Sequence, residues 1–290
     1  MFADLHLHTR ASDGIYSPAE VVRVAKEKGY SAIAITDHDT TEGLAEALSA
    51  GDIIGIEVIP GIELSTLNDD RELHIIGYYP DPKSTALQDV ISKMIKARKI
   101  RSAKMVEKLN CLGYDILLPR VKDIAGRQFI GRPHIAKALL EKGYIRELAE
   151  AFTEAFIGRG GRAYVERFKI TPAEGINILK QAGAIPVLAH PGFLSKGDSV
   201  SEEEIKILKG TGLRGIEVYY SKHTPGQTKL YKTLAAKYEL LITGGSDCHG
   251  QPNVQNRLGS IKLPYKYVSL LKKEYNFKKK VDIKQMGNRL

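Results

Sequence analysis

The chain has 290 residues, 43% apolar and 27% charged, which is enough to bury a large core and ordinary for a globular protein in water. No apolar run approaches the ~20 residues that span a bilayer, and the opening Met1-Phe2-Ala3-Asp4-Leu5-His6 lacks the basic and apolar regions of a secretory leader, so no membrane association is expected. Two cysteines, Cys111 and Cys248, make no disulfide framework and suit a reducing cytoplasm, while the net charge of +9 favours polyanionic partners such as nucleotides or RNA.

In chain order, short apolar runs end in polar clusters. Phe2–Leu7 carries His6 and leads to His8, and Ser31–Thr36 runs into Asp37-His38-Asp39. Ile56–Ile62 ends at Glu63, and Leu73–Tyr79 has His74 near its beginning. Later, Ala184–Ala189 ends at His190, Gly215–Tyr220 reads GIEVYY, and Leu240–Thr243 runs into Gly244-Gly245-Ser246-Asp247. Their length, β-branched content and Gly or Pro punctuation predict strands. Helices are predicted between several of them. Ser17-Pro18-Ala19-Glu20 and Thr171-Pro172-Ala173-Glu174 each place a capping hydroxyl, a first-position proline and a first-turn acid at a helix start, and Thr224–Tyr238 is a third helix. The alternation points to a parallel α/β fold of the (β/α) barrel type, whose sites gather at strand C-termini.

From 80 to 160 the pattern turns helical: Leu87–Leu112 carries apolar residues at helical spacing, and Pro133–Lys142 and Ile145–Phe156 follow. The expected layout is therefore a barrel over 1–79 and 161–264, an inserted helical subdomain over 80–160 covering the barrel mouth, and a peripheral basic tail over 265–290. The lysine-rich runs Lys93–Lys108 and Lys262–Lys280 also read as solvated faces.

His6 and His8 are two apart on a strand and share a face. Asp13 follows at a Ser-Asp-Gly turn, and Asp247 and His249 are again two apart. With His38, Glu63, His74 and His190 they make nine His and carboxylate groups at strand ends, more than one tetrahedral site holds. Such donors suit Zn, Mn or Fe, so two or three metals with a bridging carboxylate are expected. Asp37 and Asp39, flanking His38, are expected to orient a ligand histidine. Cys248 is aimed away from the ligands by strand alternation, and Gly158-Arg159-Gly160-Gly161-Arg162 lacks the lysine and the setting of a phosphate loop.

In this order, HxH, TDHD, PGIE, ELH, AHPG and SDCH resemble the polymerase and histidinol phosphatase (PHP) superfamily over roughly Met1–Pro264. Gly131-Arg132-Pro133-His134 in the insertion resembles its branch of small nucleotide phosphatases and 5′-to-3′ exoribonucleases. The resemblance implies a distorted (β/α)7 barrel with three metals, manganese favoured. His6, His8, Glu63 and Asp247 would hold one, Glu63, His74 and His190 a second, and Asp13, His38 and His249 the third. It further implies hydrolysis by metal-activated hydroxide, with Glu63, Arg132, His134 and His223 catalytic and Arg98, Arg132, His134 and His223 on the substrate. The substrate would be a nucleoside 3′,5′-bisphosphate or short RNA, with no obligate protein partner. A phosphatase of another metabolite such as histidinol phosphate, and a non-catalytic metal-bound RNA-binding or accessory module, are the competing readings.

Overall fold

A computed structural model describes residues 1–68, 71–126, 130–166, 168, 170–194, 198–250 and 257–287. The chain forms two units, Met1–Gln88 with Ile170–Leu290, and Asp89–Lys169.

The first unit begins β1 (Phe2–Leu7), α1 (Pro18–Glu27), β2 (Ala32–Ile35), α2 (Leu44–Ile54), β3 (Glu57–Asn68) and β4 (Arg71–Tyr78). The helix α3 (Thr85–Cys111) leads into the second unit, which holds α4 (Leu118–Ala125) and α5 (Arg132–Glu141). The first unit resumes with α6 (Pro172–Gln181), β5 (Ile185–Leu188), α7 (Glu202–Thr211), β6 (Gly215–Tyr220), α8 (Pro225–Lys237), β7 (Leu241–Gly245), β8 (Leu263–Pro264) and α9 (Lys266–Gly287). The capping residues predicted at Ser17 and Thr171 form capping boxes, and Thr224 forms a third: each accepts the N–H of the residue three on, and Glu20, Glu174 and Gln227 return the bond.

The strands run β7-β6-β5-β4-β3-β2-β1-β8. The sheet closes because the chain beyond β7 pairs with β1: Asp247 N–H donates to the His6 carbonyl at 2.9 Å and His8 N–H to the Cys248 carbonyl at 3.0 Å. Gly245 permits this closure, since a Cβ there would lie 2.3 Å from the His6 Cβ. The barrel is not wholly parallel. β4 runs antiparallel to both β3 and β5, because only two residues separate Asn68 from Arg71 and so short a link makes a hairpin. Ala3, Leu5, Ile59, Ile76, Val187 and Ala189 lie in one buried cluster, and Leu7, Ile33, Ile35 and Cys248 in another with α1 and α2. Burial raises the Cys248 thiol pKa.

The segment after 264, expected as a peripheral basic tail, is helical. It forms α9, whose Tyr267, Val268 and Leu271 are buried with the first of these clusters; residues 288–290 lie outside the described residues. In the second unit Met105, Leu109, Val121, Ile135 and Leu139 form a separate core. The helix predicted over 145–156 is only a 3-10 turn, Leu148–Phe152, after which the Thr153 hydroxyl donates to the Glu150 carbonyl at 2.7 Å. Among the described residues no helix is long and apolar enough to cross a membrane.

Candidate metal centre

All nine predicted donors meet in the first unit. β1 presents His6 and leads to His8, and the turn after it carries Asp13. His38 follows β2, Glu63 lies within β3, His190 follows β5, and Asp247 and His249 follow β7. Because β4 is reversed, the same end of the barrel receives its N-terminal half, where His74 pairs with Ser65 of β3. Asp37 holds the turn bearing Asp13: it accepts Thr9 N–H at 2.7 Å, Thr9 Oγ1 at 2.7 Å and Ser12 Oγ at 2.6 Å. Asp39 accepts Ser65 N–H at 2.8 Å, steadying β3 beyond Glu63. Asp37 and Asp39, expected to orient a ligand histidine, brace the chain around the donors through these bonds.

Glu63, fully buried, is the hub. Its Oε2 lies 3.2 Å from His6 Nε2, His8 Nε2 and His38 Nδ1, and its Oε1 lies 3.0 Å from His74 Nδ1 and 3.2 Å from His190 Nε2. Asp247 Oδ1 lies 3.0 Å from His8 Nε2, and Asp13 Oδ1 3.1 Å from His249 Nε2. One atom from each member lies within 4.8 Å of the others in three overlapping groups: His8, Asp13, His38 and His249; His6, His8, Glu63 and Asp247; and His38, Glu63 and His74.

The donors fit divalent metals better than they fit each other. His38 Nδ1 and His74 Nδ1 are buried without a hydrogen-bond partner despite their nearness to Glu63. His6 Nε2 and His8 Nε2 face each other at 3.1 Å, where at most one proton fits between them. Nitrogens and oxygens about 2.0–2.2 Å from a shared cation stand about 3 Å apart, as here. Burial alone would raise the Glu63 pKa, but His6, His38 and His74 hold it well below the usual range. Burial would lower His8, but Asp247 and Glu63 raise it to about 10; likewise Glu63 and Glu72 overcome burial to raise His74 to about 10. His38 goes the other way, lowered to about 4, chiefly by burial. Asp13 and Asp247 are held below the carboxylate range by neighbouring histidines, against burial.

Glu217, the lone acid of GIEVYY, was missed in the sequence reading. His6 Nδ1–H donates to its Oε1 at 3.2 Å, and His190 N–H donates to its Oε2 at 2.8 Å. One buried carboxylate thereby sets the tautomer of His6, leaving Nε2 as a lone-pair donor, and fixes the His190 backbone. Tyr220 donates its hydroxyl to Asp247 Oδ2 at 3.0 Å. Asp39, His190 and Asp247 have positive φ of 52°, 26° and 55°, so strained backbone clusters at this site.

A family model for the PHP domain matches residues 4–174, more than half of the chain. The chain belongs to the PHP domain family. It is 29% identical over 254 residues to phosphoribosyl 1,2-cyclic phosphate 1,2-diphosphodiesterase of Eggerthella lenta, covering 87% of this chain and 95% of that one. It is 30% identical to 3′,5′-nucleoside bisphosphate phosphatase of Chromobacterium violaceum, covering 85% and 86%, and 32% identical to a 5′-3′ exoribonuclease of Haemophilus influenzae, covering 85% and 89%. A solved structure from Bifidobacterium adolescentis, classed as a metal-dependent phosphoesterase, superposes with a TM-score of 0.83 at 32% identity, covering 93% and 94%. The chain is a metal-dependent phosphoesterase with a PHP barrel fold.

The other expected residues of this PHP protein fall in two places. His223 lies in the first unit, with both ring nitrogens engaged by backbone: Nδ1–H donates to the Val218 carbonyl at 3.0 Å, and Nε2 accepts Gly192 N–H at 3.0 Å. So bonded, His223 has no N–H left for a phosphate. Together with Gln227, which donates to the Gly192 carbonyl at 2.7 Å, it clamps the turn after His190. Arg98, Arg132 and His134 belong to the second unit. Arg132 opens α5 with its guanidinium 5.6 Å from the Phe152 ring centroid, and His134 Nδ1 accepts Gly131 N–H at 3.1 Å.

Proposed function

We propose that this phosphoesterase acts on nucleotides, removing the 3′-phosphate from nucleoside 3′,5′-bisphosphates, trimming short RNA from its 5′ end, or both. The observation that carries the metal chemistry is the Glu63 hub, whose two oxygens face five imidazoles in overlapping donor groups. The nucleotide substrate is supported by the names of the Chromobacterium and Haemophilus relatives. The Eggerthella relative, equally similar, supports a second reading, hydrolysis of a cyclic phosphodiester.

Three divalent ions, manganese favoured, would be held by His6, His8, Glu63 and Asp247; by Glu63, His74 and His190; and by Asp13, His38 and His249. Bound metals supply an activated water and neutralise charge on the phosphoryl oxygens. The chain does the rest. The carboxylates of Asp13, Glu63 and Asp247 offset only part of the charge of such ions, leaving an excess that suits a phosphate dianion. Glu217 keeps His6 in its donor tautomer, Tyr220 holds Asp247, and His223 positions His190 through Gly192. Arg98, Arg132 and His134 bind substrate phosphate, Arg132 by its planar fork. The two free cysteines support a cytoplasmic setting.

The deciding experiment is an activity panel with defined metals. It comprises nucleoside 3′,5′-bisphosphates, 5′-phosphorylated oligonucleotides, a ribose 1,2-cyclic phosphate and histidinol phosphate. Preferred turnover of the first two supports the proposal; preferred turnover of either other substrate overturns it.

A further inference from the structure

The net positive charge of the chain resides in one unit. Residues 89–169 contain 18 Lys and Arg against 9 Asp and Glu, whereas the barrel unit is balanced, with 25 of each. In a barrel that gathers its own metal charge the balance needs no special account. An 81-residue body with twice as many bases as acids does.

Part of that charge lines a cavity of about 1070 Å³ built wholly within the second unit. One wall is the face of α3 bearing Lys104 and Lys108, four apart and so one turn above the other. The other is the turn of Arg159 and Arg162, followed by Tyr164. Their charge outweighs that of Glu107 and Glu166 in the same lining. The turn is pinned in shape. Gly158 N–H donates to the Thr153 carbonyl at 3.0 Å and Arg162 N–H to the Glu154 carbonyl at 3.0 Å, while a Cβ on Gly158 would lie 2.2 Å from the Phe152 carbonyl oxygen. The walls are tied together: Lys108 Nζ donates to the Tyr164 carbonyl at 2.7 Å and Arg101 Nε to the Val165 carbonyl at 2.8 Å. This is a formed groove whose lining carries exposed cations from α3 and from the turn, together with Tyr164.

We propose that this groove binds the phosphodiester backbone of a single-stranded oligonucleotide. The proposal rests on the reading of the chain as a nucleotide phosphoesterase and assigns a binding surface to the short-RNA substrate of that reading. Three features favour a strand over a single small anion. The volume exceeds the ~300–1000 Å³ of ordinary small-molecule sites. The cations line two walls instead of converging on one point. Tyr164, with the Arg101 guanidinium 5.5 Å from its ring centroid, puts an aromatic group in the lining, and cationic grooves with aromatic side chains hold single strands without reading sequence.

The test compares the manganese-loaded wild type with Lys104→Gln/Arg162→Gln and, separately, Arg159→Gln. The substrates are a 5′-phosphorylated single-stranded RNA of about a dozen nucleotides, a nucleoside 3′,5′-bisphosphate and p-nitrophenyl phosphate. The double variant is expected to raise KM for the RNA about tenfold and to flatten its dependence on salt, since each lost phosphate contact removes about 0.7 from the logarithmic slope. Arg159→Gln should do the same to a smaller degree. Turnover of both small substrates should stay at the wild-type level, which also reports that the variants are folded. An unchanged KM for RNA overturns the groove, as does an equal loss on RNA and bisphosphate, which would mark a general field effect. Failure of wild type to hydrolyse either nucleotide substrate is a different result: it overturns the nucleotide reading itself, and the groove proposal with it.

Discussion

Glu217 stands behind His6 as the metal-facing groups stand before it: Oε1 accepts the ring Nδ1–H at 3.2 Å while Oε2 accepts the His190 backbone N–H at 2.8 Å. Two donor histidines, one in β1 and one just after β5, thus depend on one buried acid of β6. Glu217→Gln keeps the shape but replaces one acceptor oxygen by a donor. Metal affinity should fall about 10–100-fold, as is usual when such a supporting partner is lost. Competition with a metal chelator measures it, and unchanged affinity would reduce Glu217 to a packing role.

Glu63→Gln should cost more turnover than Asp39→Asn. Glu63 faces five imidazoles with two oxygens, and an amide has one oxygen to offer. Asp39 acts on the Ser65 backbone, and its amide can still accept that bond. Turnover at saturating Mn²⁺ is the readout, and equal losses would remove Glu63 from its hub position.

Metal uptake should release protons and strengthen as pH rises. Neighbouring carboxylates raise His6, His8 and His74 in the metal-free protein, His8 and His74 to about 10, so the cluster holds imidazole protons at neutral pH, whereas ligation needs the free nitrogen. His38, lowered to about 4, contributes no proton there. Calorimetry in buffers of different ionisation enthalpy should report net proton release on metal binding near pH 7. The same raised values stabilise the metal-free fold fully below the ordinary histidine value of 6.5, and that stability is lost as pH climbs through about 10. Melting temperature of chelated protein against pH checks the sign; a rise over that range would contradict it.

Much of this site was legible because strand alternation and strand ends are local properties. His6 and His8 share a face whatever surrounds them, and runs ending in His38, His190 and Asp247 announced the open end of a barrel. Even the reversal of β4 left a trace: His74 lies near the start of its run where the others lie at the end, as a strand entering from the opposite direction requires. Glu217 was hidden because its meaning depends on pairing across the barrel, with a partner 211 residues away. His223 sat beside a helix start and read as a phosphate donor, yet its bonds to Val218 and Gly192 arise from a turn that only tertiary packing brings near. The helix α9 escaped because its lysines mask the short apolar stripe of Tyr267, Val268 and Leu271.

Gly245→Ala should damage the centre without touching a donor. The added methyl would lie 2.3 Å from the His6 Cβ and 2.5 Å from its backbone nitrogen, where β1 and β7 close the barrel. Overpacking of this kind costs about 1–3 kcal/mol, and the strand that must shift carries His6. Both melting temperature and metal content should drop; a normal metal content at reduced stability would mean that β7 moves instead.

Arg132→Ala should weaken the substrate and spare the metals. Arg132 opens α5, and Pro133 gives up no needed hydrogen bond at that helix start, so a cation stands at the positive end of a helix dipole. That is a natural seat for an anion. Losing a charge-assisted contact should cost about 1.5–3 kcal/mol, a 10- to 150-fold fall in kcat/KM for a nucleoside 3′,5′-bisphosphate. Arginine is not a ligand, so bound metal should match wild type. The stacking of Arg132 near Phe152 adds a control: Arg132→Lys keeps the charge but loses the planar fork, and should recover only part of the loss. Metal analysis and steady-state kinetics on the same preparations decide the matter. Unaltered kcat/KM in Arg132→Ala would show that the second unit does not read this phosphate, and would shift the balance to a substrate with a single phosphate, such as histidinol phosphate.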